Sequence, residues 1–204
     1  EALWDTAYRA AAKFGGKGLE LRALSAVDIA AWDIVAQAAG MPLYNVLGGP
    51  VSTSVATYNP CAGTTYGRGW RPGHGDATHA GRFDDLTGFL DRPAELAREL
   101  IDEGFAGMKI WPFDQIAKER GGTVITQADL AQGLQLFRLI REAVGERIEI
   151  MAEGHGFWSL AAAKTIAKGL EPYRPAWIED LILADSPDAL AELKRSTTIP
   201  VLAS

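Results

Sequence analysis

The chain has one cysteine, three histidines and no glycine-rich phosphate loop after any of its apolar runs. The lone thiol, Cys61, excludes an internal disulfide and fits a reducing, cytoplasmic setting. No apolar run approaches the ~18 residues of a membrane span. Residues 1–14 are interrupted by polar side chains and lack an apolar h-region, so no signal peptide is expected in them. Basic excess is missing too: 20 Lys and Arg against 26 Asp and Glu leave a net charge of −6. That balance argues against nucleic acid or an anionic membrane as partner. The missing phosphate loop lowers the case for a nucleotide-binding open sheet. The chain opens on Glu1 and stops at Ser204, directly after Ile199-Pro200-Val201-Leu202. Both ends read as cut from something longer.

What is present is more specific. Ile148-Glu149-Ile150-Met151-Ala152 runs into Glu153-Gly154-His155-Gly156, and Trp177-Ile178 runs into Glu179-Asp180. Apolar runs of this kind, bounded by helical patterns, read as buried parallel strands. A carboxylate at the end of such a strand must be paired, protonated or bound to a cation, because an unpaired buried charge is too costly. Glu153 and Glu179 on successive strands therefore suggest a divalent metal held by oxygen ligands. His155 lies two residues past Glu153, on the same side of an extended chain, which suits acid–base chemistry beside a metal.

Along the chain, 2–14 and 23–39 read as helices. The second opens at Ser25-Ala26-Val27-Asp28, carries an apolar stripe at 27, 30, 31, 34, 35 and 38, and is stopped by Gly40 and Pro42. From residue 51 strands and helices alternate: strands at 51–58, 105–113, 148–152, 176–183 and 199–203, helices at 93–103, 126–144, 159–169 and 186–195. That alternation predicts βαβ units and a parallel sheet, closed as a barrel or open and doubly wound. Asn59, Lys109, Glu153, His155 and Glu179 fall at the C-terminal ends of several different strands, Glu153 and His155 sharing one, as in a barrel active site. Residues 62–92 break the rhythm. They are rich in Gly, Arg and aromatics, with Tyr66, Arg68, Trp70, Arg71, His74, His79 and Arg82, and read as a lid-like loop without secondary structure.

Residues 23–33 (Ala-Leu-Ser-Ala-Val-Asp-Ile-Ala-Ala-Trp-Asp), then Gly40-Met41-Pro42-Leu43 and Leu47-Gly48-Gly49, resemble the signature of the mandelate racemase/muconate lactonising branch of the enolase superfamily. A Lys on the second strand, an acid ending the third and Trp-Ile-Glu ending the fourth agree in order. The resemblance implies an α/β fold. Residues 1–50 would be the C-terminal helices of an α+β capping domain, and 51–204 the first half of a (β/α)7β TIM-type barrel. It implies Mg²⁺ on three carboxylates of consecutive strands, Glu153 and Glu179 being two and the third lying beyond Ser204. It also implies proton abstraction α to a substrate carboxylate, giving a metal-stabilised enediolate. The racemases and lactonising enzymes usually draw a base from the second Lys of a Lys-x-Lys pair; here the segment is Lys109-Ile110-Trp111. The acid-x-His pattern Glu153-Gly154-His155 looks like the sugar-acid dehydratases, although the family usually has Asp where Glu153 stands.

The expected roles follow. Glu153 and Glu179 hold the metal, or form a structural ion pair. His155 is the general acid for hydroxyl loss, or a packed histidine. Lys109 meets the substrate carboxylate or enediolate, or snorkels. Asn59 and Trp111 touch substrate, or pack. Asp180 supports a ligand or is solvated. The expected whole is a Mg²⁺-dependent lyase acting on a small acid sugar, homo-oligomeric at full length. The alternatives are a racemase, epimerase or lactonising isomerase, or a catalytically inactive fragment.

Overall fold

Helix signals in this sequence are local, and they place most of the architecture. The computed structural model describes residues 2–13, 18–63 and 84–204, in two units divided between Val55 and Ala56. Tyr66, Arg68, Trp70, Arg71, His74, His79 and Arg82 lie outside the described residues.

The first unit is helical, with α1 (Ala2–Ala12), α2 (Leu19–Ala38) and α3 (Leu43–Val46). α2 starts at Leu19, ahead of the expected Ser25 cap. Leu19-Glu20-Leu21-Arg22-Ala23-Leu24 is a run of good helix formers, and their summed propensity carries the helix back to Gly18. It ends as expected: Gly40 takes a left-handed φ of 63°, and the Met41 amide donates to Ala36. The expected stripe is not a buried one. Leu24 and Ala36 are the buried residues of α2, while Val27, Ile34 and Val35 are 50% exposed or more.

The second unit is a parallel sheet in the order β1-β2-β3-β4-β5. Its strands are β1 (Tyr58–Asn59), β2 (Gly107–Ile110), β3 (Glu149–Glu153), β4 (Ile178–Glu179) and β5 (Val201–Leu202). The helices between them are α4 (Asp85–Asp91), α5 (Pro93–Asp102), α6 (Asp114–Arg120), α7 (Gln127–Val144), α8 (Leu160–Leu170) and α9 (Pro187–Arg195). Strands added in chain order, with no reversal, are the winding of a barrel; a doubly wound sheet reverses at a switch point. Three expectations need correction. The strand at 51–58 shrinks to Tyr58–Asn59, because β2 offers partners only from Gly107 onward. The loop at 62–92 is not without structure: α4 lies at its end, capped by Asp84, whose side chain accepts from the Thr87 amide. The strand expected at 105–113 is only Gly107–Ile110, and helix α6, which was not expected, begins at Asp114 directly after those bounds.

The register fixes which side chains share a face. Lys109 pairs with Met151 and Glu153 with Glu179. Alternation then places Tyr58, Gly107, Lys109, Met151, Glu153, Trp177 and Glu179 on one face. The other face presents Met108, Ile110, Ile150, Ala152 and Ile178, all fully buried, to the helices. Phe113, Phe137, Ile140 and Ile166 complete that core. At Gly133 on α7 an added Cβ would stand 2.1 Å from the Phe113 ring, so only glycine lets helix and ring meet. Arg141 fastens the sheet base, donating to the carbonyls of Gly145, Ile148, Tyr173 and Arg174. Among the described residues no helix is long and apolar enough to cross a membrane.

Candidate metal and acid–base site

Three strands converge on one ammonium group. Lys109 Nζ forms ion pairs with Glu153 and, at 2.9 Å, with Glu179 Oε1. Glu179 is oriented from its other oxygen, which accepts from Trp177 Nε1 at 3.0 Å. Tyr58 closes the side: Lys109 Nζ lies 5.8 Å from its ring centre, and Trp177 meets that ring edge-on. Burial works against the Lys109 charge, but the two carboxylates outweigh it and push its pKa up. Glu153 is 6% exposed, and burial raises its pKa by more than the Lys109 ammonium beside it lowers it.

Asp180 joins the group. Oxygens of Glu153, Glu179 and Asp180 lie within 4.8 Å of one another. A sphere of oxygens around Mg²⁺ is about 4.2 Å across, and one around Ca²⁺ about 5 Å. Three hard oxygen donors at this spacing, with an ammonium already seated between two of them, fit a divalent cation. Asp180 also accepts from the Ser204 amide at 2.9 Å and from its hydroxyl.

His155 arrives by a different route from the one expected. The extended chain ends at Glu153, and His155 sits beyond it on a turn with a left-handed φ of 48°. The Gly154 amide donates to Glu179 O and the Gly156 amide to Asp180 O, which stitches this turn to the end of β4. His155 Nδ1 is 2.8 Å from Asp114 Oδ2. Burial disfavours its charge, yet the Asp114 contact outweighs burial and raises its pKa. Trp111, 7% exposed, meets the imidazole edge-on with centroids 5.6 Å apart.

Lys109, Glu153, Glu179, His155 and Trp111 thus come together. Asn59 does not. It lies in the register row of Met108, on the opposite face from Lys109. Its amide donates to Asp85 Oδ2 at 2.9 Å, and its oxygen accepts from the Cys61 amide at 2.7 Å. The residue that sequence reasoning missed is Asp114. Its one signal was its place, an acid in the loop after the second strand, where a barrel builds its site.

Strand order and strand-end carboxylates together define a partial (β/α) barrel with a candidate cation site at the C-terminal ends of its strands. Comparison with known proteins makes the class specific. The enolase C-terminal domain-like family matches residues 92–204, and the mandelate racemase/muconate lactonizing enzyme N-terminal domain matches residues 1–48. The chain belongs to the mandelate racemase/muconate lactonizing enzyme branch of the enolase superfamily. It is similar to a D-galactonate dehydratase of Ralstonia pickettii, 30% identical over 204 residues, covering 98% of this chain and 45% of that protein. A D-gluconate dehydratase of Thermoproteus tenax is 33% identical over 158 residues, covering 78% of this chain and 27% of that one. Among solved structures, an enolase protein from the environmental genome sequencing of the Sargasso Sea superposes with a TM-score of 0.80 at 35% identity, over 99% of this chain and 48% of that chain. An enolase of the mandelate racemase subgroup from Agrobacterium tumefaciens gives 0.74 at 36% identity, over 92% and 43%. The chain spans about half the length of the curated relatives it matches.

Proposed function

We propose that the protein acts as a Mg²⁺-dependent sugar-acid dehydratase, removing the proton α to a carboxylate and the β-hydroxyl. The observation that carries this is the seating of Lys109 between Glu153 and Glu179 with His155 on the next turn. A cation pocket and a proton donor share one strand end, as loss of a hydroxyl beside a carboxylate requires. The relatives named D-galactonate and D-gluconate dehydratase support the substrate class.

In this reading Glu153 and Glu179 hold the ion, with Asp180 within reach. Bound there, the ion supplies positive charge to the oxygens of a substrate carboxylate as they gain electron density. Lys109 adds a second positive charge on the same side. His155 delivers a proton to the departing hydroxyl, which leaves as water; such a transfer is worth ~10²–10⁴-fold. Trp111 walls the pocket and excludes water from the histidine. Residues 1–50 are read as part of a capping domain and 51–204 as barrel, with homo-oligomerisation and a cytoplasmic setting carried from sequence alone.

The test is an assay of the protein in its complete natural length against a panel of acid sugars with Mg²⁺, following formation of the 2-keto-3-deoxy acid. The His155→Asn variant should lose dehydration and keep its affinity for Mg²⁺. A wild type that inverts a stereocentre without losing water would instead establish the racemase or epimerase reading, which the absent second lysine at Trp111 argues against. Failure of the 204-residue chain to bind any divalent cation would favour an inactive fold.

A further inference from the structure

Asp114 opens α6 and is 5% exposed. A carboxylate that deep needs a charged or donating neighbour. The neighbour it has is His155, through Oδ2 and Nδ1 at 2.8 Å. The imidazole is also held by its backbone and by two neighbouring rings. Its backbone sits at a left-handed φ between two glycines whose amides are tied to the end of β4. A Cβ at Gly154 would fall 2.8 Å from the Leu181 side chain, so that turn has no room to slide. Trp111 meets the ring edge-on, and Phe157 lies across it with centroids 6.0 Å apart.

We propose that Asp114 is the positioning residue for His155. It fixes the neutral ring as the Nδ1–H tautomer and leaves Nε2 as the atom that exchanges a proton with substrate. A histidine left to itself favours the Nε2–H form, and which nitrogen carries the proton is set by the partner of the other. With a buried carboxylate at Nδ1, that nitrogen stays protonated in both charge states. When the imidazolium acts, Nε2 gives its proton to the hydroxyl oxygen and the carbon–oxygen bond breaks. Water leaves, and the ring remains neutral with its Nδ1 proton still facing Asp114. Asp114 orients the ring, as the acid of a Ser-His-Asp triad does. What the histidine does rests on the dehydratase reading; where its proton sits does not.

The experiment reads the proton directly and needs neither metal nor substrate. Long-range ¹H–¹⁵N correlation spectra of the histidine-labelled full chain are recorded at one fixed pH of about 9, above the ordinary histidine range. The signals of His155 are told from those of His74 and His79 by their loss in His155→Asn. Wild type should show the Nδ1–H pattern. Asp114→Asn should shift the pattern toward Nε2–H, with its far-UV circular dichroism unchanged. A wild type in the Nε2–H form overturns the proposal without recourse to any variant. An unchanged tautomer in folded Asp114→Asn overturns it as well. A wild type that shows Nδ1–H, together with a protein of complete natural length that dehydrates no acid sugar, supports the positioning role and overturns the dehydratase reading alone.

Discussion

The two units of this chain use their apolar residues differently. In the sheet unit Phe89, Phe137, Ile140, Ile150 and Ile166 are completely buried. Among the described residues of the helical unit the buried ones are Leu24 and Ala36, while Val27, Ile29, Ile34 and Val35 are half exposed or more. Capping differs too, although α5 and α6 of the sheet unit begin at Arg92 and Phe113 without a side-chain cap. α4, α7, α8 and α9 begin at Asp84, Thr126, Ser159 and Ser186, each accepting a hydrogen bond from its own first turn. α2 and α3 begin at Gly18 and Pro42, with no side-chain cap. Yet the helical unit holds the longest stretch of family signature, residues 23–33 and 40–49. A recognisable pattern and a buried core are separate properties, and only the second predicts what a substitution does to stability.

The largest difference should come from paired truncations. Phe137→Ala removes a fully buried ring from the sheet unit and should cost ~3–5 kcal/mol of unfolding free energy. Ile34→Ala shortens a side chain that is 65% exposed and should cost less than ~0.5 kcal/mol. Urea titration of both variants checks this. Equal losses would mean that the division drawn between the units is wrong.

A second test concerns charge, because among the described residues the buried charged ones, Lys109, Asp114, Asp129 and Glu153, all belong to the sheet unit. Lys109→Met strands Glu153 beside Glu179, and breaking a buried pair from one side costs ~3 kcal/mol or more. The same change clears the place a cation would take. Added Mg²⁺, Mn²⁺ or Ca²⁺ should therefore recover stability in the variant, by ~2.7 kcal/mol at a hundredfold excess over Kd, and raise wild type by less. If none of the three ions raises the variant's thermal midpoint, these carboxylates are a structural ion cluster.

Much of this arrangement is legible in the amino-acid sequence. The helices expected at 93–103, 126–144, 159–169 and 186–195 appear within a residue or two of those limits. Each carries its own periodicity and its own stop or cap. The convergence of Glu153 and Glu179 is legible because strand ends on adjacent parallel strands must be neighbours. What escapes is short or tertiary. α4 and α6 have seven residues each, too few to show a helical period. The face of Asn59 escapes because it depends on where β1 starts, and that is decided by Gly107 on another strand. Asp114 meets His155 only through the folding of α6 against the end of β3, which no local pattern announces.

Packing at Gly133 should give the next effect. Gly133→Ala would gain helix propensity in an isolated helix, by about 1 kcal/mol. Here the new methyl meets the Phe113 ring, and overpacking of this kind costs ~1–3 kcal/mol. The net change should be destabilising in the chain and stabilising in a peptide of residues 126–145. Circular dichroism melts of both would check the sign, and a stabilised chain would show that Phe113 has room to retreat.

The smallest effect expected is a pH dependence confined to the cap of α7. Thr126 accepts from the Asp129 amide, and the Asp129 carboxylate accepts from the Thr126 amide and hydroxyl and from Arg120. The Thr126 hydroxyl first, then Arg120, holds the Asp129 carboxyl below its ordinary range. A carboxylate with a lowered folded-state pKa adds stability that is complete above its unfolded value near ~3.9 and fades as pH falls through the folded value. Asp129→Asn lacks that ionisation. The gap in thermal midpoint between wild type and Asp129→Asn should therefore stay constant from about pH 7 to about pH 5 and close below about pH 4. Gly18, which caps α2 without a side chain, gives the helical unit no counterpart to lose. A gap that persists undiminished to about pH 2 would mean that the cap works through its neutral hydrogen bonds, and that the contrast between capped and uncapped helices owes nothing to charge.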